Sequence, residues 1–64
     1  MLNEKQVKNI ERKLTDLATD YEESRNQCFR EHCRGYCQGI AFMLAKLGYD
    51  IEWDDGKATL VTFD

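Results

Sequence analysis

Apolar residues recur every third or fourth position through the first 47 residues, and this period favours α-helix over most of the chain. In the first stretch they are Val7, Ile10, Leu14, Leu17 and Tyr21. A stripe this narrow contacts one partner element. Asn3 and Gln6 have the spacing of a capping box, so the pattern predicts a first helix over residues 4–23.

The second helical stretch, predicted over residues 25–47, carries a much wider apolar arc. Its members are Phe29, Cys33, Tyr36, Cys37, Ile40, Ala41, Met43, Leu44 and Leu47. At about 100° per residue they cover an arc of roughly 160°. A helix with so wide an arc packs on two elements at once. Gly48 is placed to end it as the residue after the C-cap.

The connection between the two helices is the least determined part of the pattern, because the chain has no proline and this part of it has no glycine. Two spacings fit a helix N-terminus here: Ser24 with Gln27, and Thr19 with Glu22. One continuous helix over residues 4–47, roughly 65 Å long, is the alternative. A helical hairpin turning at residues 22–27 is favoured, because the narrow first stripe needs a partner and the wide second arc has room for one.

The C-terminal segment predicts a β-hairpin over residues 49–63. Apolar and acidic residues alternate from Tyr49 to Asp54, and Asp55-Gly56 is a two-residue turn signal. A turn there pairs Trp53 with Ala58, Ile51 with Leu60 and Tyr49 with Thr62, all on one face. We expect that face to lie on the second helix, with Trp53 as a lid over the core.

The other face of the β-hairpin presents Val61 and Phe63. A two-stranded sheet offers these side chains no partner within one chain. Either the C-terminal strand pairs with a second subunit, or this face meets another protein.

Size and charge limit the functions that such a chain can have. It has 64 residues, a net charge of -3 and 33% charged residues, which indicates one small globular α+β domain over residues 1–64. Dispersed basic residues disfavour nucleic acid as a partner, although Arg25, Arg30 and Arg34 form a possible local patch. No segment approaches the ~18 apolar residues of a membrane span. We therefore expect a cytoplasmic protein that does not act at a membrane.

The three cysteines and the single histidine raise the question of a metal or a nucleophile. Cys28 with His32, and Cys33 with Cys37, have the i, i+4 spacing of helical zinc ligands. Cys28 and Cys37 lie on opposite sides of a helix, so one straight helix cannot converge all four side chains. A zinc site would need either a local break in the helix or two chains, each of which supplies Cys28 and His32. We expect no metal, no cofactor and no enzymatic activity, because nothing supplies an orienting acid or an oxyanion hole.

Gly35 and Gly39 lie in the middle of the second helix, where each glycine costs about 1 kcal/mol relative to alanine. Both fall just outside the apolar arc, on a face shared with Phe42. Small residues allow another backbone to approach closely. The approaching element is either a second subunit or another part of the same chain, and the outward position of Phe42 favours a second subunit.

The run from Arg34 to Phe42, followed by Leu47-Gly48-Tyr49 after a charged helix, resembles short uncharacterised accessory proteins of bacteriophages and prophages of Gram-positive bacteria. The similar stretch covers about a third of the chain. The resemblance implies an accessory protein that binds a host or phage protein. It transfers no functional residue.

Together these patterns predict a non-enzymatic protein-binding module that forms a homodimer. Its candidate interface residues are Gly35, Gly39, Phe42, Val61 and Phe63. Two alternatives stay open. One is a small regulator that touches nucleic acid through the three arginines, and the other is a zinc-stabilised module through Cys28 and His32.

Overall fold

Two helices precede two strands in a computed structural model that describes residues 2–63. Helix α1 spans Glu4–Glu23, helix α2 Gln27–Lys46, strand β1 Tyr49–Asp54 and strand β2 Lys57–Thr62. The predicted fold class is confirmed: an α+β arrangement of a helical hairpin followed by a β-hairpin. The longest dimension is 37 Å, which excludes a continuous helix over residues 4–47.

Side-chain hydrogen bonds separate the two helices without proline or glycine. The Ser24 backbone N–H closes α1 on the Asp20 carbonyl, and Ser24 is extended at φ -80°, ψ 140°. The Asn26 N–H donates to Ser24 Oγ at 3.1 Å, and Asn26 Oδ1 accepts from the Phe29 N–H at 3.0 Å. These bonds offer the backbone an alternative to the helical ladder.

The N-cap of α2 is therefore Asn26, and the prediction of Ser24 in that role is wrong. The helix begins at Gln27 and ends at Lys46, two residues later and one residue earlier than the predicted span 25–47. Serine and asparagine are equally good caps. Which of the two starts the helix depends on how the turn is made.

The other helix boundaries follow the sequence signals. Asn3 and Gln6 form the predicted capping box, each side chain accepting a hydrogen bond from the other's backbone N–H, at 2.8 and 2.9 Å. Gly48 follows the C-cap Leu47 with φ +92°, a left-handed conformation that glycine adopts without strain. Its N–H donates to the Ala45 carbonyl at 3.1 Å.

The β-hairpin has the predicted register. Tyr49 pairs with Thr62, Ile51 with Leu60 and Trp53 with Ala58. Asp55 and Gly56 have φ of +52° and +78°, as a two-residue turn that matches the strand twist requires.

The apolar face of the β-hairpin lies across both helices, not on α2 alone as expected. Strand β2 contacts α1, and β1 contacts α2. The core between these layers is built around Leu14, Leu44, Tyr49 and Ala58. Around it pack the partly buried residues Leu2, Ile10, Cys37, Ile40, Ile51 and Leu60. Trp53 is about half exposed beside Leu17 and Cys37, so it covers the core only in part.

Helix α1 also runs along the outer edge of β2. The Ala58 N–H donates to Thr15 Oγ1 at 3.0 Å, and the Leu60 N–H donates to Glu11 Oε2 at 2.8 Å. Both donors belong to residues whose N–H groups point away from β1. Two polar side chains of a helix thus satisfy backbone groups that a sheet edge leaves open.

Candidate interaction surface

Helix α2 leaves much of its wide apolar arc uncovered. Cys33 and Leu44 are buried, whereas several large side chains of the same helix are about half exposed or more: Phe29, Tyr36, Phe42, Met43 and Leu47. The β-hairpin and α1 cover one part of the arc and leave the other part at the surface. Exposed apolar area concentrated on one helix face is typical of an interaction site.

An open groove runs between α1 and α2 on this exposed side. Its volume is about 620 Å³. The lining from α1 is Asn9, Ile10 and Lys13, and from α2 and its C-cap it is Gly35, Tyr36, Gly39, Ile40, Met43, Leu44 and Leu47. We call it the inter-helix groove. Its floor is apolar, and Lys13 Nζ lies 5.2 Å from the centroid of the Tyr36 ring at its rim.

Gly35 and Gly39 border this groove and are open to solvent. Among residues 2–63, no heavy atom beyond the helix's own nearby backbone comes within 4 Å of a Cβ built at either glycine. The intramolecular explanation of the two glycines is therefore wrong, because neither α1 nor the β-hairpin approaches them closely. Each glycine lowers the stability of the helix by about 1 kcal/mol relative to alanine. No close contact within residues 2–63 compensates for this loss.

A second stripe of helical spacing crosses the same side of α2. We call it the glycine seam, and its members are Cys28, His32, Gly35, Gly39, Phe42 and Lys46. Successive members are three or four positions apart, and all of them are exposed. Phe42 is 61% exposed, and Lys46 Nζ lies 5.3 Å from the centroid of its ring. The predicted interface residues on α2 thus share one open face.

The cysteines lie in three different environments: Cys28 is exposed, Cys33 is buried and Cys37 is half-buried. Burial, and to a smaller extent Cys33, raises the pKa of the Cys37 thiol above its ordinary value. His32 contacts Tyr36 edge to face, with ring centroids 6.1 Å apart. Among residues 2–63, no three His, Cys, Asp or Glu side chains are grouped so that they could hold a metal ion.

The three arginines do not form one free patch. The Arg30 guanidinium stacks on the Tyr21 ring at 4.5 Å, and its Nε donates to the Tyr21 carbonyl at 3.2 Å. Arg30 thus joins the end of α1 to α2. Arg25 and Arg34 are exposed.

The far face of the β-hairpin presents the other two predicted interface residues, with Val61 half-buried and Phe63 60% exposed. Pairing of the β2 edge with a second subunit conflicts with the contacts described above, because Thr15 and Glu11 already occupy the edge at Ala58 and Leu60. Val61 and Phe63 can therefore meet a partner only through their side chains.

The sequence pattern does not predict that α1 contributes to the edge of β2 and to the inter-helix groove. Glu11 and Thr15 look like ordinary polar residues beside the apolar stripe, yet they hold β2. Lys13 and Asn9 form one wall of the inter-helix groove. The i, i+4 spacing of Glu11 and Thr15 next to Leu14 is the one available signal, because it places two acceptors on the flank of the buried stripe.

Comparisons with protein families, with curated proteins and with solved structures find no match to this chain. Within residues 2–63, neither helix combines the length and the apolar character that crossing a membrane requires. The function has to be inferred from the surfaces of the chain itself.

Proposed function

We propose that this protein is a non-enzymatic protein-binding module that self-associates through the exposed side of α2. The observation that carries the proposal is the empty space at Gly35 and Gly39. The two glycines weaken the helix and have no close neighbour among the described residues. Their small size would allow the backbone of a helix from another chain to approach closely.

Apolar surface next to the glycines supports the same function. Tyr36, Met43 and Leu47 border the inter-helix groove, and Phe42 stands beside it. An interface of standard size buries roughly 800 Å² on each partner. That is about one sixth of the 5085 Å² surface of this chain, and the interface we propose includes both the inter-helix groove and the glycine seam.

The partner we propose is a second copy of the chain, which gives a homodimer in the cytoplasm. The resemblance to bacteriophage and prophage accessory proteins supplies a second occupant of the same surface, a host or phage protein that offers an amphipathic helix. Binding of nucleic acid is not proposed, because Arg30 is committed to α1.

Sedimentation velocity over a range of protein concentrations tests this function. We expect a reversible monomer–dimer equilibrium. Met43→Glu places a charge on the exposed side of α2 and should shift the equilibrium towards monomer. Thr19→Glu, at an exposed α1 position beside the turn of the β-hairpin, is the matched control and should leave it unchanged. A wild-type chain that stays monomeric at high micromolar concentration would exclude self-association.

A further inference from the structure

The glycine seam is self-complementary when two copies of α2 run antiparallel. In a two-fold symmetric dimer the same patch lies on both subunits, so a residue that projects must meet one that recedes. Phe42 projects, with 61% of its surface exposed. Gly35 recedes, with empty space where a side chain would stand. They lie on one face of the helix, seven residues apart.

Charges flank this knob and hole at equal distances. Glu31 lies four residues before Gly35, and Lys46 lies four residues after Phe42. In an antiparallel pair, the register that sets Phe42 level with Gly35 of the other chain therefore also sets Lys46 level with Glu31. Both side chains are exposed, and their contacts within the chain are surface contacts: Glu31 Oε1 accepts from Gln27 Nε2 at 3.2 Å, and Lys46 Nζ lies 5.3 Å from the Phe42 ring centroid. The dimer gains two ion pairs, one at each end of the contact.

We infer that a second copy of this chain docks antiparallel on α2, with Phe42 of each chain seated at Gly35 of the other and Lys46 paired with Glu31. The inference rests on the self-association proposed above and specifies its geometry. Gly39 lies next to the two-fold axis, where the helix backbones approach most closely. Met43 and Tyr36, on the groove side of the seam, are covered by the incoming helix.

A parallel dimer matches this surface poorly. Each residue of the seam, and Glu31 beside it, would then lie next to its own copy, so that Lys46 faces Lys46 and Glu31 faces Glu31. Like charges across an interface oppose association. The two Phe42 rings would lie directly opposite each other. Gly35 would lie opposite Gly35 of the other chain, so that no side chain fills the space between them.

Charge reversal tests the register directly. Glu31→Lys and Lys46→Glu should each weaken dimerisation roughly tenfold, since each replaces two attractions by two repulsions near the surface. The double variant restores opposite charges and should return the dissociation constant to within about threefold of the wild-type value. Glu22→Lys changes the net charge as Glu31→Lys does, but it lies at an exposed α1 position beside the turn of the β-hairpin and should have no effect.

Filling the hole gives a second test. Gly35→Gln should abolish the dimer while the helix content of the monomer is kept, because the position is open to solvent in the free chain. Ala45→Gln adds the same side chain at an exposed α2 position away from the seam and should leave dimerisation intact. Circular dichroism of both variants verifies that the fold is retained.

The exposed thiol of Cys28 reports the direction of the two helices. In the antiparallel register the two Cys28 residues lie about 30 Å apart along the helix axis, so mild oxidation should give little disulfide-linked dimer. Efficient Cys28 cross-linking, or a double charge variant that stays as weak as the single ones, would overturn the register while leaving self-association standing. A wild-type chain that never dimerises would overturn both proposals.

Discussion

The two helices are equally long, 20 residues each, but they differ in what happens to their apolar residues. In α1 every member of the apolar stripe is buried or half-buried. In α2 Cys33 and Leu44 are buried, while Met43 is 60% exposed and two glycines stand open. The packing of α1 is completed within the chain. Helix α2 has a second face that no other part of residues 2–63 covers, and we propose that a second copy of the chain packs on it.

The two helices should differ most in how much unfolding free energy is lost when one apolar side chain of each is replaced by alanine. Leu14→Ala removes a fully buried residue and should cost about 2–5 kcal/mol of unfolding free energy. Met43→Ala should cost less than about 0.5 kcal/mol in the monomer, because its side chain is already largely in water. Urea unfolding at low protein concentration measures both. Similar losses at the two sites would contradict the contrast between the helices.

Replacing the glycines by alanine tests their effect on the stability of the monomer separately from their effect on dimerisation. Gly35→Ala and Gly39→Ala should each stabilise the monomer by about 1 kcal/mol, since the added methyl group meets nothing and alanine favours helix. The double variant should also dimerise more weakly than wild type. Thermal unfolding of dilute protein and sedimentation of concentrated protein report the two effects. A destabilised monomer would mean that the glycines have an intramolecular role after all.

The attachment of α1 to the sheet edge should contribute less to stability than the buried side chain of Leu14 does. Glu11→Ala leaves the Leu60 N–H without its acceptor and should cost about 1–2 kcal/mol. Glu11→Gln keeps an acceptor oxygen and should cost less, and Glu22→Ala, at an exposed α1 position, is the control. Hydrogen exchange at the Leu60 amide should quicken in the alanine variant alone. An unchanged exchange rate would show that Glu11 does not protect this edge.

The three thiols of α2 should differ in how fast they react, because their burial differs. Alkylation at neutral pH should modify Cys28 first, Cys37 more slowly and Cys33 last, in the order of their burial. The raised pKa of Cys37 slows its reaction further, because less of the reactive thiolate is present, and a higher pH should restore it. Mass spectrometry of a time course gives the order. Early modification of Cys33 would place it at the surface.

The fold follows from local signals wherever these are unambiguous. The period of the α1 stripe, the capping box at Asn3 and the Asp55-Gly56 turn predict their elements correctly, because each depends on residues close in sequence. The start of α2 does not follow, because Ser24 and Asn26 cap helices equally well. The position of the β-hairpin across both helices also escapes prediction, since it depends on how separate elements dock.

The candidate surface is predicted in part by the same reasoning. Mid-helix glycines carry a cost that is evident from the helical period alone, so Gly35 and Gly39 stand out among the residues of α2. The amino-acid pattern does not say whether another part of the chain fills that space. Among residues 2–63 no other element comes close to either glycine, which argues against an intramolecular neighbour, and the second subunit remains our proposal. The role of Glu11 stays hidden, because a glutamate beside an apolar stripe is usually solvated.

The two bonds from α1 to β2 have a consequence for how the protein folds. They join Thr15 to Ala58 and Glu11 to Leu60, across 43 and 49 positions of the chain. An isolated β-hairpin is marginal in water, and α1 lacks its docking strand until β2 is in place. We therefore expect neither the helical half nor the β half to be stable apart from the other. We expect the chain to fold in one cooperative step, in which α1 and β2 come together late because they are far apart in sequence.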